Sequence, residues 1–342
     1  MEMTNKVAVV ILNWNGCQML RQFLPSVVAH SEADGGVVYV ADNGSTDDSV
    51  EMLCQEFPMV RQILMDENYG FAEGYNRAIA ELNEPYVVLL NSDVEVTSHW
   101  LQPLIAYMDA HPEVAACQPK ILSYNEPDKF EYAGAAGGFI DCYGYPFCRG
   151  RLMQQVELDK GQYDEPAEIF WASGAALFIR RNDYEAVGGL DPRFFAHMEE
   201  IDLCWRLKAR GRGIVCLPES VVFHVGGATL KRENPNKTYL NFRNNLIMLY
   251  KNLPERELGH VMRVRFLLDH VAAFTFLLKG QWQNALAVRH ARKEYHRQRP
   301  YFRASRMDNQ RKAKQPRPRG KVKFSLLIQY YLLFRKRYSQ LG

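Results

Sequence analysis

Short apolar runs and stretches of helical periodicity alternate along the first hundred residues. Lys6-Val-Ala-Val-Val-Ile-Leu-Asn13 is apolar throughout between its polar ends, the pattern of a strand covered on both faces. After Asn13-Trp14-Asn15-Gly16, the residues Leu20, Phe23, Leu24 and Val27 recur at helical spacing. Residues 37–41 form a second buried run, ending in Asp42-Asn43-Gly44-Ser45. Ser45 with Asp48 reads as a capping box, with Asp in place of the longer Glu, for a helix through Val50 and Leu53. Residues 60–65 make a third run, followed by a helix carrying Phe71, Tyr75, Ile79 and Leu82. The fourth run, Tyr86-Val-Val-Leu-Leu90, leads straight into Asn91-Ser92-Asp93. Strand–helix alternation at this short period predicts a mostly parallel, doubly wound α/β sheet with right-handed crossovers.

Further along, Trp100, Leu101, Leu104, Ile105 and Met108 mark a helix, and residues 114–117 a short strand. From 121 to 168 the alternation is lost, and this Gly-, Tyr- and Phe-rich stretch reads as an irregular insert. Apolar residues resume as a strand over 170–180. A helix over 199–210 has Leu203 and Leu207 on one face, Asp202 and Arg206 spaced to pair, and Gly211 as its stop. Residues 214–217 and 221–224 read as two short strands, the second ending at His224-Val-Gly-Gly227. Beyond 235 the periodicity is helical, through Tyr239, Phe242, Leu246 and Leu249 and then 266–278.

Charge divides the chain. Of its 342 residues, those from 289 onward hold 17 Lys+Arg and 2 acids, while the preceding 288 carry 25 basic and 37 acidic residues. An acidic body with a basic tail suggests that the tail meets an anionic surface. The 289–323 stretch reads as solvated and partly disordered, or as a membrane-surface segment. It is followed by the apolar 324–334 and then by Arg335-Lys-Arg337. Eleven helical residues span about 16 Å, too short for a hydrocarbon core of about 30 Å. The segment is therefore expected to lie in the interface or to pack back on the protein. Residues 266–278, interrupted by Asp269 and His270, form a second apolar candidate. No leader is recognised before the first strand. Seven cysteines at irregular spacing, without C-x-x-C, point to a reducing compartment rather than a disulfide framework or a zinc knuckle.

The candidate chemistry lies at strand ends, where open α/β sheets place their ligands. Asp93 follows the buried run ending at Leu90, so its carboxylate is either an oxygen ligand for a divalent cation or a cap for a helix starting near Thr97. Asp42 is placed to bond a base or ribose, although Asp-Asn-Gly is also strong turn chemistry. Neither G-x-G-x-x-G nor a phosphate-loop pattern is present. Glu199-Glu200 either stabilise a helix start through its dipole or supply a general base. His224 is a hydrogen-bonded core histidine or a partner of Asp93.

Together these segments resemble glycosyltransferase family 2, the inverting transferases of GT-A fold, and within it the bacterial rhamnosyltransferase-like branch that builds surface polysaccharides. The resemblance covers about residues 6–250. It rests on Val-Val-Ile-Leu-Asn-Trp-Asn-Gly16, Asp42-Asn-Gly-Ser-Thr-Asp-Asp-Ser49, Asn68-Tyr-Gly-Phe-Ala72 with Asn76, and Leu-Leu-Asn-Ser-Asp93. Phe194-Phe-Ala-His-Met-Glu-Glu-Ile-Asp-Leu-Cys-Trp-Arg206 and Phe223-His-Val-Gly-Gly227 complete it. The resemblance implies that Asn13, Asp42 and Asn68 line a nucleotide pocket. It also implies that Asp93 is the metal-binding acid of a D-x-D motif whose first acid is here Asn91, and that His224 completes a site for Mg or Mn. Glu200 matches the second member of the acidic pair, the catalytic base, in a position where Asp is usual, so Glu199 and Glu200 both remain candidates.

The function so implied is transfer of a sugar from a nucleoside-diphosphate sugar to a hydroxyl of a polysaccharide or lipid-linked glycan acceptor. It implies a catalytic domain over 1–235 and a helical, basic, membrane-associating extension over 236–342. The expected location is cytoplasmic, peripheral at the inner face of the cell membrane, on anionic lipid. The reading from another class is a non-catalytic nucleotide-sugar-binding scaffold at the membrane, which has no need of Asp93, an acid at 199/200 and His224 together. Nucleic-acid binding is disfavoured, because the body is acidic and no module for it is visible.

Overall fold

The computed structural model describes residues 6–226 and 234–341. Gly227, the last residue of the His224-containing motif, lies outside the described residues. The first half follows the expected alternation. Strand β1 (Val7–Asn13) is followed by α1 (Cys17–Ala33), β2 (Gly36–Asn43) by α2 (Ser49–Glu56), and β3 (Arg61–Met65) by α3 (Gly70–Ala80). Strand β4 (Tyr86–Leu90) is buried at all five positions. Strands β3, β2, β1 and β4 lie side by side in parallel. Their ends align, so that Asn13 pairs in register with Asp42 and the polar residues of neighbouring strands emerge at one edge.

Chain continuing past β4 does not form the helix that Asp93 was a candidate to cap. It forms β5 (Val94–Val96), which pairs antiparallel with a strand more than a hundred residues later. Helix α4 (Leu101–Ala110) begins beyond it, and its first N–H is capped at 3.0 Å by Asp34, from the end of α1. Strand β6 (Val114–Ser123) is longer than expected. The stretch read as irregular holds a small antiparallel sheet of β7 (Gly138–Ile140), β8 (Pro146–Cys148), β9 (Arg151–Leu152) and β10 (Gln155–Val156).

Strand β11 (Ala167–Glu168) lines the edge of the main sheet, and β12 (Ala176–Arg180) sits between β4 and β6, antiparallel to both. The apolar run 170–180 is thus only half strand. Ser173 breaks it, giving its N–H to the buried Gln118 side chain at 2.9 Å, while Trp171 turns its indole N–H to the Phe139 carbonyl at 2.9 Å. After α5 (Arg181–Ala186) and α6 (Glu199–Ala209), β13 (Gly213–His224) is a single strand with a register break between Leu217 and Val221, not two strands.

Alternate side chains of the strands feed two cores. Val7, Val9 and Ile11 pack with Leu20, Leu24, Trp100 and Leu104 of α1 and α4 on one face. Ala8 and Val10 face Tyr75 and Ile79 of α3 in a cluster that continues to Trp205 and to Leu246–Tyr250. The latter belong to α7 (Pro235–Asn252), which is followed by α8 (Glu255–Leu278), α9 (Trp282–Gln298) and α10 (Arg303–Lys312).

The basic tail is folded, although several of its cations stay exposed. Others meet acids of α8: Arg306 meets Glu255 at 2.7 Å, and Arg317 and Lys321 both reach Glu257, at 2.6 and 2.7 Å. Residues 324–341 then run along the small sheet, with Leu326 fully buried and the Tyr338 ring 5.3 Å from that of Phe139. Within 324–334, Leu326 and Phe324 face inward, whereas Leu332 and Phe334 are exposed.

Candidate active site

At the ends of β1 and β2 a polar lattice replaces the apolar pattern. Asn13 Nδ2 donates to Asp42 Oδ2 at 2.9 Å and to Ser45 Oγ at 3.2 Å. Asp42 Oδ1 accepts the Ser45 N–H at 2.8 Å, and Asn15 Oδ1 accepts the Thr46 N–H at 2.7 Å. Ser45 is therefore spent on this lattice and not on a capping box. The first N–H of α2, that of Ser49, is met instead by Asp47, whose Oδ1 accepts it at 3.1 Å. Asn68 Oδ1 accepts from Asn43 Nδ2 at 3.1 Å and from the Gly70 N–H at 2.8 Å, fixing the turn into α3. Asn13, Asp42 and Asn43 are buried, and Asn13 Oδ1 has no hydrogen-bond partner among the described residues.

Beyond β4, Asp93 faces His224, from the end of β13. His224 Nε2 lies 3.1 Å from Asp93 Oδ1 and 3.3 Å from Asn91 Nδ2. On the other side of the ring, Nδ1 stands 3.5 Å from Glu131 Oε2, a contact of charge rather than a hydrogen bond. Burial alone would lower the imidazolium, but the carboxylates of Asp93 and Glu131 more than offset it and hold it up at about 10. Burial likewise opposes ionisation of Asp93, yet the His224 hydrogen bond and charge keep that carboxyl below its ordinary range.

Among the described residues, no group of three or more His, Cys, Asp and Glu side chains is arranged to hold a metal ion. Asp93 presents a hard oxygen, and His224 a ring nitrogen that becomes a ligand only when an incoming cation displaces its proton; the deprotonated pair suits a divalent cation.

The third group lies at the start of α6. Phe195, His197 and Met198 all have positive φ, at 65°, 70° and 73°, and Met198 provides no side-chain cap. This strained turn is held by α7. Asn244 Nδ2 donates to the carbonyls of Phe194, Ala196 and His197 at 3.0, 2.8 and 2.7 Å. The turn delivers Glu199 and Glu200 with one oxygen each buried and, among the described residues, unpartnered. Burial first, and the Glu200 charge second, push the Glu199 carboxyl well up. Burial pushes Glu200 up to about 7, against the pull of backbone N–H groups at the helix start. Next to them, burial and then Lys237 lower His197 to about 4.

The three groups are neighbours. A Cβ on Gly16 would lie 2.4 Å from Asn13 Oδ1 and 3.8 Å from Ser92 Oγ, so the first loop closes against the Asn91–Asp93 turn. The Asn91 N–H bonds the Ala175 carbonyl at 3.1 Å, and a Cβ on the adjoining Gly174 would stand 3.9 Å from the Glu200 Cβ. The Phe71 N–H at the start of α3 bonds the Phe195 carbonyl at 2.9 Å. All eight residues singled out from the sequence thus lie on this connected stretch. Glu131 and Asn244 were missed: the first lies in a stretch without periodicity, and the second is one of five asparagines of α7 with nothing to distinguish it until its partners are seen.

The Glycosyl transferase family 2 profile matches residues 8–185. The chain is 30% identical over 242 residues to an N-acetylglucosaminyl-diphospho-decaprenol L-rhamnosyltransferase of Mycobacterium tuberculosis, covering 65% of this chain and 76% of that one. Its fold is similar to GalNAc-T7 with UDP, GalNAc and Mn2+, at TM-score 0.58 and 16% identity over 75% of this chain and 49% of that one. It is also similar to a mannosyltransferase from Pyrobaculum calidifontis in complex with GDP-Man and Mn2+, at TM-score 0.52 and 14% identity over 90% and 84% of the two chains.

Proposed function

The chain belongs to glycosyltransferase family 2, and from that premise we propose that it is an inverting, metal-dependent transferase. It moves a sugar from a nucleoside-diphosphate sugar to a hydroxyl of a polysaccharide or lipid-linked glycan. The observation that carries this reading is the pair of buried, raised carboxylates at the start of α6, adjoining the Asn91–Asp93 turn. Asn13, Asp42 and Asn68 bind the nucleotide at the strand ends, with Asn13 Oδ1 left to accept from it. Asp93 and His224, beside Asn91, would hold a divalent cation, Mg or Mn, which would supply neutralisation of the charge on the departing diphosphate. Glu200 takes the proton of the acceptor hydroxyl as that oxygen attacks the face opposite the leaving group, which inverts the anomeric carbon. The Glu200 charge, once formed, keeps the buried Glu199 beside it protonated.

The M. tuberculosis relative favours rhamnosyl or another hexosyl transfer in glycan assembly. A lipid-linked acceptor puts the enzyme at an anionic membrane surface, peripherally and on the cytoplasmic side. Among the described residues, no helix is long and apolar enough to cross a membrane.

The test is a panel of nucleotide sugars offered to purified protein with an acceptor analogue. Nucleoside diphosphate release is read with Mn2+, with Mg2+ and with chelator, and the anomeric configuration of the product by NMR. Turnover insensitive to chelation removes the metal assignment, and retention of configuration removes the base. Binding of donor without any turnover leaves the scaffold reading in possession.

A further inference from the structure

The outer face of α8 carries an ordered division of residue types. At 3.6 residues per turn, Arg256, His260, Arg263, Leu267, Val271, Phe274 and Leu278 fall within a stripe about 80° wide. All seven are exposed. The first half of the stripe is basic and the second half apolar, with Leu267 64% and Leu278 73% exposed. Lys279 and the 59%-exposed Trp282 follow at the turn into α9. The three acids of α8 do not offset this charge. Glu255 pairs with Arg306, Glu257 with Arg317 and Lys321, and the buried Asp269 with Arg265 and Arg292. No acid occurs between Asp269 and Glu294.

The stripe stands beside the site. Thr238, in the first turn of α7, bonds Asn284, in the first turn of α9, at 2.7 Å, and the adjacent Lys237 acts on His197. The turn with Trp282 therefore adjoins the elements that hold Glu199 and Glu200. At the other end, His260 packs on Tyr143 with ring centroids 6.3 Å apart. The same β7–β8 turn anchors the tail through Asp141 Oδ2 and the Leu326 N–H, 2.8 Å apart, just ahead of the exposed Leu332 and Phe334.

We propose that the outer face of α8, with the Lys279–Trp282 turn, is the surface by which this protein lies on an anionic lipid bilayer, and that the basic tail is not. An apolar stripe ending in Trp, flanked by cations and free of acids, matches a headgroup layer with hydrocarbon beneath it. A second copy of the chain would bring Arg256 and Arg263 against like charge if the stripes paired parallel, and against the apolar half of the other stripe if they paired antiparallel. The proposal rests on the lipid-linked acceptor only for its purpose, because bilayer binding is measured without donor or acceptor.

The experiment is co-sedimentation of the full chain with phosphatidylcholine vesicles, with and without phosphatidylglycerol. It compares the wild type, Val271→Glu/Leu278→Glu and the milder Arg256→Gln/Arg263→Gln. Expected are binding that requires phosphatidylglycerol and weakens with salt, and a partition coefficient at least about tenfold lower in the Glu variant. A smaller loss is expected in the Gln variant, with unchanged turnover of a water-soluble acceptor analogue in both. Equal partition of all three proteins overturns the proposal. So does a full chain that stays in the supernatant at low salt, or one that elutes as a dimer which Val271→Glu/Leu278→Glu disperses. Failure of soluble turnover in the wild type would instead count against the transferase reading and leave the vesicle result standing.

Discussion

As the proposed base, Glu200 would exchange a proton near neutrality, and burial sets it there, at about 7. Turnover is therefore expected to rise with pH through that value and to level off above it, because the deprotonated form is the base. Glu200→Gln removes turnover while donor binding, read by calorimetry, stays within about twofold of wild type. Glu199→Gln is the less affected of the two; the reverse order would exchange their roles. The same shift has a cost in stability. A carboxyl whose folded pKa lies above its unfolded value carries no penalty below the unfolded pKa, near 4.3. The penalty grows as pH rises through the window up to about 7 and is constant beyond it. Glu200→Gln should therefore melt above wild type at pH 8 by on the order of 1–3 kcal/mol, and show no such gain at pH 4. Asp93→Ala should lower turnover at least about a hundredfold, since several kcal/mol of charge stabilisation go with the cation. Titration calorimetry of Mn2+ with nucleoside diphosphate separates that loss from a folding defect, because only the metal-dependent heat disappears.

Among the elements, the turn Phe194–Met198 is the one whose geometry matters most to the chemistry. Three of its carbonyls converge on one amide group, that of Asn244. Asn244→Ala leaves them buried without that donor, at about 1–3 kcal/mol. It also frees a backbone held at positive φ, so kcat should fall by about tenfold or more with little change in donor affinity; kinetics and a thermal melt on one preparation check both. Strands β1, β2 and β4 were legible because each is a short apolar run ending in polar residues, which also marked Asp42 and Asp93; β3, which opens on Arg61 and Gln62, was legible from its place in the alternation, and Asn13 from the resemblance. What local pattern could not show depends on partners far along the chain. Ser45 looked like a cap until Asn13 took its oxygen, and β5 looked like the approach to a helix until β13 paired with it. Glu131 reaches His224 from a stretch with no periodicity at all.

On the scale of the molecule, an acidic body and a basic tail suggested a tail reaching outward. The charges complement each other internally instead, with Arg306, Arg317 and Lys321 on Glu255 and Glu257. Truncation after Gln315 consequently removes part of the core rather than a tether. It takes away the fully buried Leu326 and a Tyr338 ring that stands 5.3 Å from Phe139 and 5.7 Å from Tyr163. The truncated chain should lose on the order of 4 kcal/mol or more, from two large apolar side chains, and precipitate more readily. Chemical denaturation of the two forms side by side measures it, and equal midpoints would mean that the last residues do not brace the small sheet.

The strap over that sheet closes very long loops. The Leu326 N–H finds Asp141 across 185 residues of chain, and the Tyr338 N–H finds Glu157 across 181. Closure entropy of that size must be met before the contacts return anything, which makes the strap a late event on the way to the native state. Refolding should accordingly show a parallel sheet that gains protection early and a slower phase in which residues 138–156 and 324–341 become protected together. In the finished protein the same unit should open as one, so pulse-labelled amides of Ile140, Cys148 and Leu326 are expected to exchange at a common rate, ahead of those in β1 and β4.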